Sequence, residues 1–82
     1  MALEEYRLVR VRQLLKPPEA YDGWRLNSRP PRVGDLGTIV EILTAEGLPD
    51  NYVVESRDDG GITIWLGDFQ AEELEEVEPD AD

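Results

Sequence analysis

The sequence predicts an all-β domain, a small barrel of about five short strands with one 3₁₀ turn before the last of them. Three observations carry this. Apolar residues recur at alternate positions or in short β-branched runs, most clearly in Val33 to Leu43, VGDLGTIVEIL. There, Gly34-Asp35 and Gly37 supply a tight turn, and Thr38, Ile39, Val40 and Ile42 suit a pleated strand. Turn residues punctuate the chain at short intervals, and no stretch carries an apolar repeat of helical period over the length of an ordinary helix.

The first strand is expected over Tyr6 to Arg12, YRLVRVR. Val9 and Val11 face inward, and Arg7, Arg10 and Arg12 form a solvated face that salt-bridges to acidic residues and guards an edge. Residues 16–32 follow as a long loop with two proline pairs, Pro17-Pro18 and Pro30-Pro31, which exclude a central strand. Loops of this length in small domains are often functional. This one carries Tyr21 and Trp24 beside Arg25, a composition typical of binding hot spots. Two readings of Trp24 and Leu26 stand here, a binding surface or a cover over one end of the core.

From Thr38 the second strand points Val40 and Ile42 to one side, with Glu41 in water. Thr44 to Asn51 reads as a turn-rich connection, and Tyr52 to Arg57 as a strand with Tyr52 and Val54 inward. Asp58 to Gly61, DDGG, is a hairpin turn. Its partner, Ile62 to Leu66, would bury Ile62, Ile64 and Leu66 and turn Thr63 and Trp65 outward. Trp65 beside Val53 then marks an interface or lies under the first loop, and Trp24 and Trp65 are within reach of each other. Gly67-Asp68 turns the chain, Phe69 returns to the core, and Gln70 to Glu76 suits a 3₁₀ turn with Leu74 and Val77 as anchors of a last short strand.

Composition bounds the function. The chain has 82 residues, enough for one domain, read as residues 1–78 with a frayed acidic tail at 79–82. It contains neither cysteine nor histidine, so thiolate chemistry, disulfides and the commonest metal ligands are lacking. This, with an N-terminus that has no signal-like apolar core and no run long enough to span a membrane, leads us to expect a cytoplasmic protein. The net charge of −11 is uneven. Residues 1–32 hold seven basic and four acidic side chains, while residues 33–82 hold one basic, Arg57, against fifteen acidic. Such a surface repels phosphate backbones and disfavours nucleic acid.

No candidate catalytic, cofactor-binding or metal-ligating residue emerges. Ser28 and Ser56 have no histidine to activate them, Asp58-Asp59 reads as a turn, and the glycines match no phosphate-cradling pattern. The expected order is strand, long loop, two strands, tight hairpin, strand, 3₁₀ turn, strand, which is that of a small SH3-like barrel.

The run Gly34 to Ile42, with Tyr52 to Glu55, Asp59-Gly60 and Glu72 to Leu74, resembles a group of small bacterial SH3-like domains of unknown function, over about Val9 to Val77. That resemblance implies a fold and no activity. A weaker likeness, in Pro18 to Tyr21, Gly37-Thr38 and Phe69 to Val77, is to photosystem I subunit IV (the PsaE type), an SH3-like barrel that helps dock ferredoxin through basic residues. Here the half after residue 32 is acidic instead.

The expectation is therefore a non-enzymatic protein–protein interaction or accessory module, monomeric and without a cofactor. Its partner is another protein, with neither nucleic acid nor membrane involved. The surface would comprise Tyr21, Trp24, Arg25 and Trp65. The alternative is an acidic, immunity- or antitoxin-like neutraliser of a basic partner, acting through Asp58, Asp59, Asp68, Glu72, Glu73, Glu75 and Glu76.

Overall fold

The computed structural model describes residues 3–78. The expected frayed tail at 79–82 lies outside the described residues. The fold is all-β, one five-stranded antiparallel sheet in the order β4-β3-β2-β1-β5. The strands are β1 (Leu8–Val11), β2 (Leu36–Ala45), β3 (Leu48–Arg57), β4 (Thr63–Phe69) and β5 (Leu74–Glu76). One 3₁₀ turn lies in the first loop (Pro18–Tyr21) and a second before β5 (Ala71–Glu73). No helix among the described residues is long and apolar enough to cross a membrane.

β1 buries Val9 and Val11 as their alternation predicts. It is no edge, however, because β2 and β5 pair with it on its two sides. Its arginines still face outward. Arg10 meets Glu75 at 3.0 Å and Arg7 meets Glu76 at 3.5 Å.

In β2 the inward residue is Ile39, where Val40 was expected. Ile39 pairs with Val54 and Glu41 with Val53, so Val40 is an extra residue in a β-bulge. The bulge reverses the alternation, which returns Ile42 to the core. Gly37 is needed where β2 crosses β3, because a Cβ there would lie 2.7 Å from Val54 Cγ1 and 2.9 Å from the Glu55 carbonyl oxygen.

Two further expectations are corrected. The stretch from Thr44 to Asn51 is ladder rather than loop. β2 and β3 run on to a two-residue turn, Glu46-Gly47, with Gly47 at φ +82°. Pro49 sits where the pairing shifts register, a place that tolerates the missing N–H. Gly67-Asp68 likewise lies within β4 and does not turn the chain.

β4 shows the largest difference. Trp65, Gly67 and Phe69 face inward, and Ile62, expected in the core, is exposed. Trp65, read from the sequence as pointing out, is 0% exposed. The physical reason lies in the first loop. Tyr21 packs over β4 so closely that a Cβ on Gly67 would stand 3.0 Å from the Tyr21 carbonyl oxygen. Only the odd-numbered face offers that gap between two large rings. Tyr21 and Trp65 each pack against Phe69, with ring centroids 4.9 and 5.5 Å from it. These three rings, with Val9, Val11, Ile39, Val54 and Leu74, make the core.

Candidate functional site

The first loop is fastened to the sheet at three places. At its end, the Asp35 carboxylate accepts from Arg29 Nη1 (2.8 Å) and Nη2 (3.2 Å), from the Arg32 amide (3.0 Å) and from the Trp65 indole Nε1 (2.9 Å). Burial alone would push the Asp35 carboxyl up. The hydrogen bonds from Arg29, Trp65 and Arg32 outweigh it and hold the group below the usual aspartate range.

At the start of the loop, the buried Glu73 carboxylate accepts from the Tyr21 hydroxyl, the Leu15 amide (3.0 Å) and the Gln70 amide (2.7 Å). The Tyr21 oxygen in turn accepts from the Leu15 and Lys16 amides, at 3.1 and 3.2 Å. Burial, and then the bond to Glu73, push the Tyr21 phenol up to about 12.

Between these points the loop covers the open side of β4, the terminal strand of the sheet. The Ser28 amide donates to the Ile64 carbonyl at 2.7 Å, and the Leu66 amide donates to Asn27 Oδ1 at 2.9 Å. Backbone groups that would otherwise invite another strand are thereby occupied.

The apex of the strap carries Trp24 and Arg25, both exposed as a binding surface requires. The Trp24 indole Nε1 donates to Asp68 Oδ1 at 3.3 Å, and the ring remains 48% exposed, next to an exposed Leu26. Arg25 adopts a left-handed backbone at φ +60°, unusual for a residue with a side chain, and this shapes the apex. The other two expected members are not there. Tyr21 and Trp65 are buried and out of a partner's reach, and Trp24 and Trp65 form no ring pair.

The expected acidic surface also divides. Asp58 is a turn residue whose Oδ1 accepts from the Gly60 and Ile62 amides, each at 2.9 Å. Glu73 is 1% exposed, so it belongs to the interior. Glu75 and Glu76 pair with Arg10 and Arg7, and Asp68 holds Trp24. Asp59 and Glu72 remain exposed.

Two features had escaped the sequence reading. One is an open groove of about 430 Å³ beside the bulge, lined by Tyr6, Leu8, Leu36, Val40, Glu55 and Arg57. Tyr6 stands at its rim at φ +69°, its amide donating to the Ile39 carbonyl at 2.6 Å. The bulge that lets Val40 line the groove had no signal in the strand pattern. The other is the end of the β2–β3 hairpin, whose signal was available: no basic residue occurs between Arg32 and Arg57.

Chemically, Asp35 and Glu73 are acceptors already engaged by several donors. No group of three or more Asp or Glu among the described residues is placed to hold a metal ion. The fold and its fastened, tryptophan-tipped strap define a small all-β protein, one five-stranded sheet with a presented loop. Comparison with protein-family models, with curated proteins and with solved structures finds no match.

Proposed function

We propose that the protein is a non-enzymatic interaction module whose first loop docks another protein through Trp24, Arg25 and Leu26. The observation that supports this reading is the half-exposed Trp24 on a loop fastened at Tyr21, Asn27-Ser28 and Arg29. A large apolar ring held in one place loses little conformational freedom on binding, and tryptophan and arginine dominate interface energetics. The indole N–H is already bonded to Asp68, so the ring offers its apolar face without an unpaired donor.

The test is capture with the tagged full chain from its cell of origin, at low and high salt, beside Trp24→Ala and Arg25→Ala. The expected result is one partner, retained at high salt and lost with Trp24→Ala while the variant keeps a cooperative thermal transition. Capture that survives Trp24→Ala overturns the reading. Capture that collapses with salt in the unaltered protein favours the acidic-neutraliser alternative, since screened charges would then carry the association.

A further inference from the structure

Past the core, β2 and β3 continue without neighbours. β1 pairs with β2 only over Leu36–Thr38, and β4 reaches β3 no further than Tyr52. Residues 43–50 are all exposed and form a free two-stranded ribbon around the Glu46-Gly47 turn. An isolated ribbon of this kind is marginal in water. A ribbon kept only for solubility would carry polar side chains throughout. This one exposes Leu43 (38%) and Leu48 (67%).

Its charge is one-sided. Glu41, Glu46 and Asp50 are exposed and in no ion pair among the described residues, whereas Glu75 and Glu76, at the other end of the sheet, are neutralised by arginines. An apolar tip framed by unpaired carboxylates complements an apolar recess with a basic rim. The same charge opposes anionic lipid, nucleic acid and a second copy of this acidic chain. Strand addition is disfavoured as well, because Pro49 has no N–H and the pairing shifts register there. Recognition therefore runs through side chains.

We infer that the β2–β3 hairpin is a second docking element, which inserts Leu43 and Leu48 into an apolar recess of a basic protein surface while Glu41, Glu46 and Asp50 meet its rim. This rests on the interaction-module reading and adds a second contact and a partner chemistry to it.

The test uses random 12-residue peptides displayed on phage and selected on the full chain, followed by amide-shift mapping with the tightest binder. Enriched peptides should combine Lys or Arg with large apolar residues, and their shifts should fall on residues 41–50. Leu48→Ser, and separately Glu46→Lys with Asp50→Lys, should each weaken binding at least tenfold while the rest of the amide spectrum stays in place. Enriched peptides without basic residues overturn the inference, as does unchanged affinity for either variant. Shifts confined to Trp24–Leu26 also overturn it but leave the interaction module standing. If no peptide binds at any surface, both readings fall.

Discussion

The indole Nε1 of Trp65 donates to the Asp35 carboxylate at 2.9 Å, and that contact joins the largest core side chain to the residue that closes the first loop. The same carboxylate grips the Arg29 guanidinium through both of its terminal nitrogens. One acidic side chain thus orients a core ring and fastens a surface loop. Asp35→Ala leaves a buried N–H without an acceptor and a half-buried guanidinium without its counter-charge. It should cost about 2–3 kcal/mol, below the figure for a fully buried pair because water reaches part of the site. Urea denaturation measures it.

Acid should weaken this clasp. The folded Asp35 carboxyl lies below its ordinary value, and so does that of Glu55, held down chiefly by the Thr63 hydroxyl. A group depressed on folding contributes stability above its unfolded value, about 4, and loses that contribution as pH falls through the folded value. The stability gap between the unaltered protein and Asp35→Asn should therefore be full at neutral pH and narrow below about pH 4. A gap that stays constant down to strong acid would contradict the assignment.

The opposite sign holds at Tyr21. Its phenol is raised to about 12, so between the unfolded value near 10 and that point the native state keeps a proton that the unfolded chain has released. Stability present below about pH 10 is lost as pH rises through about 12. Tyr21→Phe should abolish that alkaline loss while destabilising the protein at neutral pH, because Glu73 loses a donor and the Leu15 and Lys16 amides lose an acceptor. Thermal unfolding at stepped alkaline pH distinguishes the two proteins.

These clasps explain what the sequence could and could not reveal. Val9 and Val11, the DDGG turn and the 3₁₀ turn before Leu74 were legible because each is decided by residues within a few positions. Trp65 was not. ITIWLGDF places apolar residues on both faces of a strand, so alternation offers two answers. What decides between them is Tyr21 packing over Gly67. Tyr21 itself is buried through Glu73, a residue 52 positions away. The strap's apex at Trp24 and Arg25 was visible as composition, because aromatic and basic residues on a proline-bounded loop are a local pattern. At the hairpin end the lack of basic residues was legible, but the ladder was hidden by turn-rich composition, since it depends on pairing and not on either strand alone.

Gly37 provides a sharper test of the sheet geometry. An added Cβ meets both a methyl group and a carbonyl oxygen at under 3 Å, and the carbonyl belongs to a paired strand that cannot move alone. Gly37→Ala should cost about 1–3 kcal/mol or more through displaced backbone. Gly23→Ala, with nothing within 4 Å of its added Cβ, is the matched control and should lie within about 0.5 kcal/mol of the unaltered protein. Equal effects would mean that β2 and β3 do not approach as closely as described.

The two tryptophans should part company on substitution. Trp65 is fully enclosed, packs on Phe69 and donates to Asp35, so Trp65→Ala creates a large cavity and leaves the Asp35 clasp short of a donor. A loss of about 3–5 kcal/mol is expected, a large share of the stability of so small a domain. Trp24 is half in water and gives up one long hydrogen bond, from its indole to Asp68 of β4, so Trp24→Ala should cost less than about 1 kcal/mol. Intrinsic fluorescence adds an independent check: Trp24→Phe should leave blue-shifted emission from the enclosed Trp65, resistant to acrylamide quenching. Trp65→Phe should leave the red-shifted, readily quenched signal of Trp24. The reverse pattern would mean that the face of β4 turned to the core is the even-numbered one after all. It would return Trp65 to the surface and remove the reason for Tyr21 to be buried.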